Sequence, residues 1–338
     1  MTGVLGVAHH WQDSEHEVCN LNTRSGSDEP WCDRKLAQRC LLGLVSVLLI
    51  ALAPAALSQE LTPRAYWPAP KGTKFVLAGY AYSTGDVVTD PTLPLVGVDS
   101  TIQQGVVAYQ QTISLAGRTS NIQLEVPYTD GSTDGTFQGN PANREVSGIG
   151  DVSATISFNL MGAPSMTREE FQAFRKNPSP ILATSLKVVA PTGEYEPDKL
   201  INVGTNRWAA KLKLGYLRPM PAKWVLEMAA GVWVFEDNDE FLGVTREQQP
   251  VVALDLNVVK RFRPGFWGSI DANYYLGGRT TVDGDKNADF QRNSRLGFSL
   301  VYPFAGSHAI KVSFSAGVVT ESGGDYNTVL LNYLYRLQ

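Results

Sequence analysis

The sequence predicts an all-β chain: a transmembrane antiparallel up-and-down β-barrel of about twelve strands, with one short helix on the periplasmic side. Three observations predict it. Apolar and polar residues alternate with period two, as in Leu182, Thr184, Leu186 and Val188 against Ala183, Ser185 and Lys187. Lysines occupy the polar face of such strands, as at Lys211 and Lys213, so that face must meet water, here inside the structure. The connections between the segments run alternately short and long, as in barrels with short periplasmic turns and longer external loops.

Composition narrows the class. The 338 residues carry a formal net charge of −4 with both signs mixed along the chain, unlike the basic footprint of a nucleic-acid binder. No apolar run of about 18 residues, the length a membrane helix needs, follows Ser58. A barrel needs apolar residues only at alternate positions. Cys19, Cys32 and Cys40 all precede residue 59. A cysteine-free remainder suits export through an oxidising periplasm.

Residues 1–33 are polar and irregular and hold His9, His10 and His16; they read as a disordered extension or a start site placed too early. Residues 34–58 read as a signal peptide: Arg34, Lys35 and Arg39, the apolar run Cys40–Ala53, then small residues at Ala56 and Ser58, with cleavage after Ser58. No small residue precedes Cys40, which argues against a lipoprotein anchor. Residues 59–70 read as a periplasmic N-terminal segment and 71–338 as the barrel.

Twelve alternating segments follow. They are Thr73–Gly85, Thr101–Leu115, Arg118–Tyr128, Gly148–Leu160, Ile181–Ala190 and Asn206–Leu217, then Lys223–Phe235, Val251–Phe262, Gly265–Leu276, Arg292–Tyr302, His308–Val319 and Asn327–Leu337. Strands of about 9–11 residues in even number cross a bilayer and close a barrel. Ala116-Gly117, Arg218–Ala222, Arg263-Pro264 and Pro303–Ser307 are the short connections; Asp86–Ser100, Thr129–Ser147, Glu236–Pro250 and Gly277–Gln291 are long ones. This order puts both chain ends in the periplasm. Gly162–Asn177 breaks the pattern on that side: Thr167 and Glu170 form a capping box, and Phe171 and Phe174 give one short helix an apolar edge. That helix either enters the lumen or packs on the rim.

In the last two strands Ile310, Val312 and Phe314 face lipid while Lys311, Ser313 and Ser315 face inward. A Lys or Arg on the lipid face at mid-bilayer costs about 2–4 kcal/mol, so the alternation has one permitted orientation. The same parity turns Glu125, Asp151, Lys187, Lys211, Lys213, Glu227, Asp255, Asp271, Arg295, Lys311 and Arg336 into the lumen, with the two signs nearly balanced. Either these charges pair across a filled lumen, or some line a path for a polar or amphipathic solute. Tyr216, Trp224, Phe262, Phe266, Trp267, Tyr302 and Phe304 flank the short turns, as an interfacial girdle would. Trp233, Phe235 and Tyr275 have lumen parity, which leaves girdle packing and a solute-stacking cluster both open.

Several motifs resemble one family: Gly148-Ile149-Gly150-Asp151-Val152, Ala190-Pro191-Thr192-Gly193-Glu194-Tyr195, Asp198-Lys199-Leu200-Ile201-Asn202 and Gly204-Thr205-Asn206-Arg207-Trp208. Gly278–Gly284, Gln291–Gly297 and Gly323–Tyr326 match further. The chain from about Lys71 onward resembles the outer-membrane β-barrel transporters labelled for the MetA pathway of phenol degradation. The resemblance implies the barrel fold and a hydrophobic or aromatic solute. Barrels of this kind usually end in an aromatic residue, whereas this chain ends in Gln338.

Other chemistries find little support. Asp283–Asp289 opens like a calcium loop, but Ala288 and Ser294 stand where the glycine and the bidentate glutamate belong. His308 is the one histidine after residue 58; its neighbour Ser307 points to the opposite face of a strand, and no Gly-x-Ser-x-Gly elbow is present. The expectation is therefore a non-enzymatic outer-membrane channel without cofactor or metal, for passive passage of small organic solutes. Glu125, Asp151, Lys187, Lys211, Lys213, Glu227, Trp233, Asp255, Asp271, Tyr275, Arg295, Lys311 and Arg336 line its path. The partners expected are outer-membrane lipid and lipopolysaccharide, the barrel assembly machinery and the solute, and no nucleic acid. The alternatives are a non-conducting structural or surface-recognition barrel and a lipid-modifying enzyme.

Overall fold

A computed structural model describes residues 62–86, 96–137, 140–322 and 325–337. The extension read at 1–33, the signal peptide at 34–58 and the start of the 59–70 segment lie outside the described residues, as does Gln338.

In chain order the strands are β1 (Lys74–Gly85), β2 (Val96–Leu115), β3 (Arg118–Phe137), β4 (Asn140–Ile149), β5 (Ser153–Met161), β6 (Ile181–Val189), β7 (Ala209–Met220) and β8 (Trp224–Phe235). There follow β9 (Asn238–Phe241), β10 (Val244–Gln248), β11 (Val251–Arg263), β12 (Phe266–Gly277), β13 (Thr280–Val282), β14 (Asp285–Lys286), β15 (Gln291–Ala305), β16 (His308–Val319) and β17 (Tyr326–Leu337). One helix, α1 (Arg168–Lys176), sits between β5 and β6. All strands except β4, β9, β10, β13 and β14 form one closed antiparallel barrel of twelve, because β1 pairs with both β2 and β17. Lys74 stands opposite Leu337, so the first and last strands meet at the end that carries the short turns.

The barrel is apolar outside and polar inside. Val107, Leu212 and Ile270 expose 60%, 62% and 69% of their surface outward, whereas Thr112, Asn121, Asn273, Ser299 and Ser313 are buried inward. A closed sheet satisfies its own backbone groups, so this outer band can meet hydrocarbon without an orphaned N–H or C=O. Near the short turns Phe266 packs on Phe262 (ring centroids 4.6 Å apart) and edge-on to Tyr302 (5.5 Å). The Lys260 ammonium sits 4.8 Å above the Trp224 ring. Aromatic rings clustered at this end of the barrel match an interfacial girdle.

Two sequence readings need correction. Gly148–Leu160 is not one strand: it divides into the end of β4 and β5, with Gly150-Asp151-Val152 between them. The inner half of β3 pairs with β5 (Ser120–Glu125 opposite Phe158–Ser153), and its outer half pairs with β4 (Tyr128–Phe137 opposite Ile149–Asn140). The handover falls at Pro127, which has no N–H for the ladder, and its carbonyl instead accepts from Gly150 N (2.9 Å). The supposed loop Thr129–Ser147 is for the most part the β3–β4 hairpin, standing beyond the barrel rim. At the same end β9, β10, β13 and β14 form a small second sheet, and Val146, Ile201 and Phe241 make an apolar core beneath the loops.

Candidate functional site: the barrel lumen

The lumen starts at the periplasmic end with a segment that shows no periodicity in sequence. Thr62–Pro70, read above as part of a periplasmic lead-in, turns into the barrel. Arg64 N donates to Glu227 Oε2 (2.7 Å), Tyr66 hydroxyl pairs with Ser185 Oγ (2.8 Å), and Lys213 Nζ donates to Thr62 Oγ1 (2.9 Å). Tyr66 lies over Gly215: a Cβ there would come within 2.2 Å of its ring. With Ala163, Ile181, Ala183, Leu217, Val225 and Val259, Tyr66 forms an apolar core in this half of the lumen.

Helix α1 braces this strap. Its capping box is complete: Glu170 N donates to Thr167 Oγ1 (3.3 Å) and Thr167 N to Glu170 Oε2 (2.8 Å). Phe174 packs on Trp67 at 6.0 Å between ring centroids. Arg64 and Arg261 lie over the Trp67 ring at 4.7 and 4.8 Å, and Arg261 Nη1 donates to Arg175 O (3.3 Å). The helix thus joins the rim through Phe174 and Arg175, and Arg168, Phe171, Gln172 and Lys176 line the periplasmic end of the lumen beside the strap.

Polar networks line the wall above the strap. Glu125 accepts from Lys187 Nζ (2.7 Å), Ser153 Oγ (2.8 Å) and Gln123 Nε2 (2.7 Å). Lys213 forms a buried ion pair with Asp255, which also accepts from Asn273. Asp271 accepts from Ser269 Oγ (3.0 Å) and Ser299 Oγ (3.1 Å). Arg295 donates to Ser315 Oγ (2.9 Å) and lies 3.7 Å from the Tyr326 ring centroid. Arg336 reaches Gly306 O at the turn (3.5 Å).

Asp151 holds the external end. Its Oδ1 accepts from Gly193 N (2.8 Å), and its Oδ2 accepts from Thr205 N (2.9 Å) and Thr205 Oγ1 (2.7 Å). These bonds fold the loop 190–208 inward over the mouth. Gly193 and Gly204 then touch so closely that a Cβ on Gly204 would meet the Gly193 backbone at 2.8 Å. Beside this loop, Trp233 and Phe235 stack at 6.2 Å with planes 11° apart. Lys211 Nζ lies 5.2 Å from the Trp233 ring, and the Arg207 guanidinium 4.8 Å from that of Phe235. The pair packs against the buried cluster of Val251, Ala253 and Tyr275.

A single cavity of about 2050 Å³ runs past all of this, from Pro264 and Gly306 at the periplasmic turns to Arg207, Gln248 and Gln291 at the external end. Of the residues read from parity, Glu125, Asp151, Lys187, Lys211, Lys213, Trp233, Tyr275, Lys311 and Arg336 line it. Glu227, Asp255, Asp271 and Arg295 face inward but are sealed into the wall. The expected balance of charge therefore fails at the cavity surface, because most carboxylates are consumed by wall bonds. Parity reasoning missed Arg64, Tyr66 and Trp67, which lie outside the alternating segments, and passed over Arg207, which shares the parity of Lys211 and Lys213 within Asn206–Leu217 but precedes β7 in the structure; the motif Gly204–Trp208 also points toward it.

His308 Nδ1 hydrogen-bonds the Tyr333 hydroxyl (2.6 Å). No group of three or more His, Cys, Asp or Glu side chains spaced for a metal occurs among the described residues. Outside the membrane-spanning strands, burial and then the nearby Asp325 charge raise the Asp86 carboxyl above its ordinary value.

The sequence profile of the family described as "Putative MetA-pathway of phenol degradation" matches residues 79–337. The chain belongs to that family. Its fold is similar to the solved COG4313 outer membrane channel from Pseudomonas putida F1, at 20% identity, covering 82% of this chain and 100% of that one, with a TM-score of 0.67. It is also similar to the β domain of the Bordetella autotransporter BrkA, at 13% identity, covering 79% and 100%, with a TM-score of 0.49. No curated protein sequence matches it. The first likeness agrees with the barrel architecture built above.

Proposed function

We propose that this protein is an outer-membrane channel for the passive passage of small organic solutes. One observation carries the reading: the cavity is continuous along the barrel, from the periplasmic turns to the external loops. Eight-stranded barrels are filled by their side chains and porins of sixteen or more strands leave open water, so twelve strands suit a narrow path. The strap narrows that path at one end and the Asp151-held loop at the other. The aromatic stack on the lumen face supports a solute with an aromatic or otherwise hydrophobic body, in keeping with the label of the family. Passage is passive, down the solute's own gradient. A non-conducting barrel with working loops is the second reading, favoured by the Tyr66 strap across the lumen.

Planar-bilayer recording of the folded protein tests this. Discrete openings, altered by small organic solutes, are expected. A heat-modifiable, correctly folded barrel that stays silent and takes up no solute in proteoliposomes contradicts it.

A further inference from the structure

The charge on the cavity surface is lopsided. Among the described residues, fourteen lysine and arginine side chains line the cavity against two carboxylates, Glu125 and Asp151, although the whole chain has a net charge of −4. Both carboxylates are already engaged, Glu125 by Lys187 and Asp151 by the Gly193 and Thr205 amides. Three further inward acids are sealed into the wall behind this lining, Glu227 on Arg64 N, Asp255 on Lys213 and Asp271 on two serine hydroxyls; with them counted, the fourteen cations still face only five acids. A low-dielectric wall around such a lining focuses a positive potential and concentrates anions. Rings of Lys and Arg select anions in pores.

Lys187 and Lys211 stand directly opposite each other in the β6–β7 register, a like-charge juxtaposition that a sheet disfavours and that the Glu125 carboxylate on Lys187 relieves. Lys211 is in turn directly opposite Trp233 across β7–β8, with its ammonium over that ring. Phe235, two residues on, stacks with Trp233 and carries the Arg207 guanidinium on its face. The Arg207 side chain is held there by a hydrogen bond to Gln248 Oε1. A flat aromatic platform is thus flanked by a cation on each member, at the external end of an anion-attracting cavity. This arrangement fits a ring that bears a negative group: the ring lies along the aromatic pair, and its charge lies against the half-buried Lys211, while Arg207, itself buried, adds its charge from the wall beside Phe235.

We infer that the Trp233–Phe235 platform with Lys211 and Arg207 is a binding subsite for aromatic anions, carboxylates or phenolates, and that the channel favours such anions over neutral or cationic solutes of the same shape. The inference rests on the channel reading for its transport half and stands alone for its binding half.

The test is titration calorimetry on the protein folded in detergent, with benzoate, benzyl alcohol and benzylamine as probes, beside bilayer recordings across a potassium benzoate gradient. Benzoate should bind at least about tenfold more tightly than the other two. Lys211→Gln should weaken benzoate by about tenfold and leave benzyl alcohol unchanged, and Trp233→Leu should weaken both. Heat-modifiability on gels checks that each variant is folded, and the probe comparison in the unaltered protein needs no variant. Equal affinity for benzoate and benzyl alcohol, or benzoate binding unmoved by either substitution, overturns the inference. Benzoate binding in a protein that conducts nothing upholds the subsite and removes the channel. Conduction without benzoate preference removes the subsite and leaves the channel.

Discussion

The Asp151 carboxylate accepts both the backbone N–H and the hydroxyl of Thr205, at 2.9 and 2.7 Å. Its other oxygen takes Gly193 N, so one side chain gathers three separated family motifs at the external mouth. Asp151→Ala should free the loop 190–208. It orphans several donors, each bond being worth about 1.5–3 kcal/mol when charge-assisted. Hydrogen exchange should rise from Thr192 to Thr205 while the barrel strands stay protected.

Gly204 tests the same contact sterically. A methyl group there meets the Gly193 backbone at 2.8 Å, and the atoms it meets are all main chain, so no side-chain rotation relieves the clash. Gly204→Ala should therefore raise proteolytic nicking in the loop, with the barrel's own melting temperature unchanged.

How much of this was legible in the sequence follows from periodicity. The barrel strands from Ile181 onward were readable to within a few residues because lipid outside and water inside force each side chain to one face. Gly148–Leu160 misled because alternation continues across Gly150 and Asp151, and only three dimensions show β3 exchanging partners at Pro127. Parity placed Glu227 and Asp255 inside but could not tell a cavity surface from a buried wall, which depends on how neighbouring strands bond. The strap at Thr62–Pro70 has no period at all, so nothing local announced that Tyr66 would settle on Gly215.

The Lys213–Asp255 pair is nearly dry on both sides. Lys213→Met should destabilise the barrel by about 3–5 kcal/mol, since it leaves a buried carboxylate without its partner. The double variant Lys213→Met, Asp255→Leu should recover most of that loss. Urea unfolding of the two variants measures the difference.

Asp86 gives a pH signature at the external end of β1, where its N–H donates to Asp325 O (3.1 Å). Burial and the Asp325 charge raise its carboxyl in the folded state. A raised carboxyl costs stability above its folded value, and the cost fades as pH falls through that value toward the unfolded one. Asp86→Asn should therefore stabilise the fold at pH 7 and have little effect below about pH 4. Paired thermal melts at the two pH values report it.

The central claim is that the lumen is a path narrowed by the Tyr66 strap. Single-channel conductance of the unaltered protein beside Tyr66→Ala and Gly215→Val tests it most directly, because the first removes the ring and the second takes its place against the wall. The account predicts small openings for the unaltered protein and larger ones for Tyr66→Ala, with Gly215→Val changing the conductance as the strap is displaced. Three folded barrels that remain equally silent would contradict it.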